Sequence, residues 1–428
     1  MVVTRRGFVG GAGSTAAGAA AAAKGSPRRT DVADLQTMLE RYAGFGIKAS
    51  GGPGDEACGA WLEGELDRAG FSCRRQPFEI PFFEARQASL VCGAARAALI
   101  PQAVVAPTGP QGLTAPLTLA SERGDLTGSI ALVVLPFSRW VTTAQPQVGG
   151  AIAEAVARGA AAVILVTTGP TGEAVALNVS LKKPPNPRPV AVLAPKDAAA
   201  FLDAARNGRT GTLTLDGRGG RRPAFNLIGR LDRKAAQTVV ISTPRSGWFG
   251  CAAERGSGVA VWLWLARRLA RARHPVNLEF LATSGHEYEY FGGERYLEDA
   301  APKPAATRLW THIGASAAAR DWHELGGRLL PLPSADAQRV LTATADILPG
   351  VRQAFRGISG LEATYLADKV MAGGELTNVL NAGYRRAIGL YGIHRYFHTE
   401  ADDLRCVSGD LVAPVATAFG AAITRALA

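Results

Sequence analysis

From residue 224 to the C-terminus the chain repeats one pattern: a short apolar run, a Gly-containing polar loop, then a helical periodicity. "AFNLIGRL" and "TVVIST" are followed by the helix-like "ERGSGVAVWLWLARRLA", "VNLEFLAT" runs into "SGHEYE", "TRLW" into "THIGAS", and "YRRAIGLYG" into "IHRYFHTEADD". An amphipathic "GDLVAPVATAFGAAITRAL" closes the chain. Continuously apolar strands alternating with helices require a mainly parallel sheet with helices on both faces, which places the chain in the α/β class. Upstream, "DVADLQTMLERYAGFG" and "ACGAWLEGELDRAG" space apolar residues every three or four positions, so two helices are expected over 31–70, before a first strand near 71–83. Between 85 and 220 the character changes to short strand-like runs, "GSIALVVLP", "AAAVILVTTG" and "RPVAVLAP", with one helical stretch, "GGAIAEAVARG". This segment is expected to be a β-rich domain inserted into an α/β domain made of 31–84 and 221–428. No fixed-period repeat interrupts that division.

The first residues place Arg5 and Arg6 against a weakly apolar Ala/Gly stretch that ends in small residues. This is the layout of a twin-arginine export signal covering 1–25, and it predicts an exported protein, periplasmic or extracellular. Cleavage near Ala23 removes both arginines, so the net charge of +11 falls to +9. No basic stripe interleaved with aromatic residues accompanies that charge, which speaks for solubility rather than a nucleic-acid partner. No later stretch approaches ~18 uninterrupted apolar residues, so no membrane span is expected. The five cysteines, Cys58, Cys73, Cys92, Cys251 and Cys406, are odd in number and without paired spacing. That excludes a zinc ribbon and leaves at least one thiol unpaired within the chain, with one or two disulfides open to the rest.

In an open α/β sheet ligands bind beyond the carboxyl ends of the strands. The loops that follow the apolar runs carry Glu254, Glu287, His312 and His398, which that topology can gather although they lie far apart in sequence. Two carboxylates and an imidazole suit a zinc ion: the acids balance its charge and the ring adds a nitrogen ligand. Bound zinc lowers the pKa of a water in its open position toward ~7, giving a nucleophile at neutral pH. His286, next to Glu287, is the natural group to manage the proton. Arg255 and His394 are candidate substrate-binding residues, although Arg255 beside Glu254 also suits a plain ion pair.

These segments resemble, in order, those of the exported zinc aminopeptidases and glutaminyl cyclases of peptidase family M twenty-eight, with a protease-associated domain inserted after the first strand. "ERGSGVAVWLWLARRLA" is similar to the family's Asp-Asn-Gly-Ser-Gly loop and helix, "LEFLATSGHEYEYFGGERYL" to its strand followed by Gly-Glu-Glu, and "YFHTEADDL" to its Tyr-His-Thr-Pro-x-Asp stretch. The departures are chemical. Pro244-Arg245-Ser246 stands where the family has His-x-Asp, Glu254 replaces the bridging aspartate, and His286 replaces the general-base glutamate. The later aspartate ligand has no acidic counterpart, with His312 beside its place. The resemblance therefore implies one zinc ion, held by Glu254, Glu287 and His398, rather than two. Losing the first metal also argues against ordinary removal of N-terminal amino acids.

Three functions follow from that expectation. The first is an exported, mononuclear zinc-dependent hydrolase acting on a small peptide or amide. The second is a non-catalytic binding protein that kept the fold, and the third a cyclase like the family's glutaminyl cyclases. Ser246 and Cys251 invite a nucleophile reading, but Ser246 lacks a Gly-x-Ser-x-Gly turn and Cys251 has only Arg245 and Arg255 as local cations.

Overall fold

The computed structural model describes residues 29–428, apart from 103, 123, 183–185, 369 and 370. The expected twin-arginine leader lies outside the described residues. Helices α1 (Arg29–Ala43) and α2 (Pro53–Arg68) lead into β1 (Ser72–Cys92). Strands β2 (Ala95–Pro101), β3 (Leu113–Leu119), β4 (Ile130–Val134), β5 (Ala162–Val166) and β6 (Val190–Leu193) follow, with α3 (Pro146–Ala157) before β5 and α4 (Ala199–Arg206) after β6. The chain returns along β7 (Thr210–Leu231) and continues through β8 (Thr238–Pro244), α5 (Gly256–Arg271), β9 (Asn277–Thr283), α6 (Phe291–Asp299) and β10 (Thr307–Ile313). It ends with β11 (Arg320–Leu325), β12 (Arg328–Ala335), β13 (Arg339–Ala343), α7 (Leu348–Phe355), β14 (Thr364–Leu366), α8 (Glu375–Asn381), β15 (Ala387–Gly392) and α9 (Gly409–Leu427).

Thirteen strands make one mixed sheet in the order β1-β2-β6-β5-β4-β3-β7-β9-β8-β10-β15-β13-β14, and β11 and β12 form a separate hairpin. The centre of the C-terminal half is parallel: β9, β8, β10 and β15. Every residue of β8 and β9 is buried, as expected for strands covered on both faces. One face carries α1, α2, α5 and α9 on a large apolar core, including Leu39, Trp262, Phe280 and Phe419. The other carries α6 and α8 on a smaller cluster around Tyr296, Trp310 and Leu376. The sheet is mixed because, among others, β7 and β13 run antiparallel to their neighbours β9 and β15.

Two long arms, β1 and β7, pair antiparallel from Ser72↔Arg230 to Val91↔Thr212. Beyond them, β2 to β6 bury two apolar clusters of their own, one around Leu117, Ile164 and Phe201, the other around Trp140, Ile152 and Leu165. Helix α9 is long and apolar enough to cross a membrane by length and composition. It buries Leu411, Val412, Val415, Phe419 and Ile423 in the main core and packs against α1, α5 and α7. All five cysteines are unpaired.

Candidate active site

Because β8, β9, β10 and β15 are parallel, their carboxyl ends share one edge, and the loops that leave them meet there. The loop after β8 turns into α5 at Gly256, immediately after Glu254 and Arg255. Gly258 lets α5 come this close: a Cβ there would lie 2.9 Å from the Gly314 carbonyl oxygen and 3.1 Å from Thr243 Oγ1. Cys251, Glu289, Tyr290, Ser316 and His398, none of them glycine, adopt left-handed backbone conformations in these loops. Such strain persists where surrounding contacts over-determine it, and it concentrates at functional sites.

Glu254 and His398 meet. His398 Nε2 lies 3.2 Å from Glu254 Oε1, and both side chains are fully buried. His398 Nδ1 is 2.9 Å from the Ala176 carbonyl oxygen, so it must donate, and in the neutral ring Nε2 is left as an acceptor facing a carboxylate. Phe397 stacks on the ring at 3.9 Å. Neither Glu254 oxygen nor His398 Nε2 has a hydrogen-bond partner. Arg255, 1% exposed, places Nη2 2.8 Å from Glu254 Oε1 and donates through Nε to the Ser246 carbonyl at 2.9 Å. Burial alone would raise the Glu254 carboxyl, but Arg255 and His398 outweigh it and hold it well below the usual carboxylate range.

Glu287 is buried, with one oxygen engaged elsewhere and the other, Oε1, without a hydrogen-bond partner. Its Oε2 accepts from Ser246 Oγ at 3.0 Å and from Ser50 Oγ, and burial raises its carboxyl above the ordinary value. Among the described residues, the triplet of His, Cys, Asp or Glu with ligand atoms all within 4.8 Å of one another is His394, Asp402 and Cys406; Glu254, Glu287 and His398 are not so gathered. That triplet pins a loop. Asp402 spends one oxygen on the Ala253 N–H at 2.8 Å and the other on the Glu254 N–H at 2.9 Å, while burial and then Asp402 keep the Cys406 thiol protonated far above its usual pKa. His394 is held through Nδ1 by Ser316 Oγ at 2.8 Å, with Nε2 3.5 Å from Asp402.

His286 points to a partner that sequence patterns did not suggest. Its Nδ1 lies 3.0 Å from Oε1 of Glu375, which also accepts from Thr283 Oγ1 at 2.7 Å. Glu375 opens α8 after two glycines, does not follow an apolar strand run, and so escaped a search of strand ends. The only local signal is "GGE", and it is weak. Burial, then Arg255, pushes His286 well below an ordinary imidazole, so the ring is neutral at pH 7. His312 is set apart from Glu254: its Nδ1 meets Ser242 Oγ at 3.0 Å, and Glu375 is the carboxylate that acts on it most. Arg245, which occupies the middle of the sequence's Pro-Arg-Ser departure, turns away into a buried pair with Asp55 at 3.0 Å.

Burial lowers the His312 pKa to about 4. Its unfolded value is near 6.5, so the unfolded chain binds more protons between the two, and this contribution to stability, full above pH 6.5, is lost as pH falls toward 4. The loss is on the order of 3 kcal/mol. Urea denaturation at pH 7 and pH 4.5 should therefore show a larger drop for the wild type than for His312→Gln. Equal drops would remove His312 as the cause.

No protein-family model and no curated protein sequence matches the chain. Solved structures do. A zinc aminopeptidase from Bacillus subtilis is similar over 92% of this chain and 94% of its own, with a TM-score of 0.71 and 18% identity. An aminopeptidase from an Aneurinibacillus species gives 0.66 and 17%, over 93% and 94%. A Shewanella amazonensis structure described as a peptidase M28 precursor gives 0.71 and 16%, over 93% and 95%. The chain has the fold of these proteins over nearly its whole length.

Proposed function

We propose that the chain hydrolyses amide or peptide bonds at the carboxyl edge of its sheet, with His286 as the proton-accepting group. The observation that carries this is the buried His286–Glu375 pair at 3.0 Å. Glu375 fixes the Nδ1–H tautomer, so the other ring nitrogen is the one free to take a proton from an attacking water, and a neutral ring is in the right state at pH 7. The Glu254–His398 pair carries no proton between its facing atoms when the ring is neutral, so the leaving amine takes back the proton that His286 accepted from the water. Support from the fold is at the level of class: the structural relatives are peptidases.

The Bacillus subtilis relative is a zinc enzyme. The residues of this chain do not form a three-ligand zinc site as they stand: Glu287 keeps a buried Oε1 without a partner, but the three expected donors are not gathered within 4.8 Å and a guanidinium already contacts Glu254. One observation favours a second reading, a single ion shared by two protein ligands: His398 Nε2 and Glu254 Oε1 face each other as acceptors with no hydrogen between them in the neutral ring.

Residues 176–179 are tied to the loops of this edge. The Ala176 N–H donates to the His398 carbonyl at 2.9 Å, the Val179 N–H to the Glu287 carbonyl at 3.0 Å, and Trp248 Nε1 to Asn178 Oδ1 at 2.9 Å. The protease-associated identity of 85–220, a role for it over the cleft, and export by the twin-arginine leader belong to the same proposal. The test is a panel of N-acylated dipeptides, free dipeptides and aminoacyl amides, with release followed by mass spectrometry. Turnover of blocked amides ahead of free N-terminal substrates is expected, and a folded protein that cleaves none of them would leave the non-catalytic reading.

A further inference from the structure

The centre contains a cation of its own. Arg255 is one of the largest fully buried side chains among the described residues, and it caps the start of α5 at the end of the loop that carries both Ser246 and Glu254. Its Nε is committed to the Ser246 carbonyl. Nη1 and Nη2 have no hydrogen-bond partner, although Nη2 is 2.8 Å from Glu254 Oε1, so that contact is electrostatic rather than an aligned bond. Leaving two guanidinium NH2 groups unmatched in a buried site costs free energy unless something else receives them. The charge reaches further than Glu254: Glu287, Glu375, His286 and His312 all feel it. It therefore occupies the electrostatic centre of the group of residues from which the sequence led us to expect a zinc site.

Resting on the hydrolase reading above, we propose that Arg255 is the resident cation of this centre in place of a divalent ion, and that its Nη1–Nη2 fork binds an oxygen of the substrate. The chemistry matches. A planar guanidinium presents paired donors to a carboxylate or to a carbonyl oxygen gaining negative charge, which an amide carbonyl does when water adds to it. The proton of that water passes to His286, the new C–O bond puts charge on the carbonyl oxygen where Arg255 meets it, and the C–N bond breaks as the His286 imidazolium returns its proton to the departing amine, so no metal is required for balance. A fixed positive charge also disfavours the free amine of an N-terminal substrate and favours substrates with a blocked N-terminus or an acidic group nearby.

Three measurements on the full mature chain test this. Zinc determined by mass spectrometry in protein purified without chelators should fall well below one ion per chain, and added zinc should leave the melting temperature unchanged. Acetate, used as the oxyanion probe, should bind the wild type and bind Arg255→Lys about tenfold more weakly, since lysine keeps the charge and loses the fork. One tightly held zinc per wild-type chain overturns the proposal, and so does unaltered acetate binding by a folded Arg255→Lys. If that variant does not fold, the wild-type zinc content still decides. A protein with no zinc and Arg255-dependent acetate binding but no amide hydrolysis retains this inference and loses the hydrolase reading.

Discussion

Replacing His286 with asparagine is expected to lower kcat for amide hydrolysis by about 10²–10⁴-fold, with a much smaller change in KM. Asparagine can still reach Glu375 and fill much of the space, so the loss isolates the ring nitrogen that accepts the proton. Two companion measurements separate chemistry from packing. Glu375→Gln keeps the volume but no longer favours the Nδ1–H tautomer through a negative charge, and it should lower kcat less than the loss of the ring does. The wild-type pH profile should be flat through neutrality, because the buried His286 loses its proton only well below the ordinary imidazole range, and activity should fail on the acid side as that proton is regained. Steady-state kinetics on the best substrate of the panel read all three. If His286→Asn kept kcat within a few-fold of the wild type, another group would have to be the base.

The largest stability effect is expected at the buried Asp55–Arg245 pair. Arg245 is fully buried, Asp55 is 1% exposed, and Arg245 Nε lies 3.0 Å from Asp55 Oδ1. The guanidinium also donates to the Ala282 and Phe225 carbonyls, both at 2.8 Å, and lies 4.3 Å from the Phe225 ring centroid. Asp55 Oδ2 accepts from Gly51 N–H at 2.9 Å and Ser284 Oγ at 2.6 Å, tying the start of α2 to the end of β9. Asp55→Ala leaves the arginine charged and fully buried, so it should cost about 3–5 kcal/mol in urea denaturation. Asp55→Ala combined with Arg245→Met removes the stranded charge as well and should recover much of that loss, since an apolar pair of similar volume is often neutral. A double variant no more stable than Asp55→Ala would mean that the carbonyl and hydroxyl bonds, not the charge pair, carry the stability.

Much of this molecule was legible in the chain. The continuous apolar runs of β8 and β9 and the amphipathic spacing of α1, α2, α5 and α9 translate directly into strands buried on two faces and helices buried on one. Parallel strands put their carboxyl ends together, so Glu254, Glu287, His286 and His398 were foreseeable as neighbours of one edge. The antiparallel entry of β7 and β13 was not legible, because the direction in which they insert depends on long-range pairing rather than on local composition.

Which of those neighbours touch could not be read in advance. Glu287 faced Ser50 and Ser246 instead of joining Glu254, and His286 found Glu375, a residue 89 positions away with no strand run before it. Arg255 looked like a local ion-pair partner for Glu254, and it is that, but folding also buried it where Glu287, Glu375, His286 and His312, from other parts of the chain, feel its charge. Periodicity records how often a side chain is hidden, a property that each segment carries by itself, and so the sequence determined the layers and the edge. The direction of a side chain at the end of a strand depends on loop torsions and on what the opposite loop offers as a partner. Those are set only when the whole sheet has closed, and so the tertiary structure decided which acids, imidazoles and guanidinium meet.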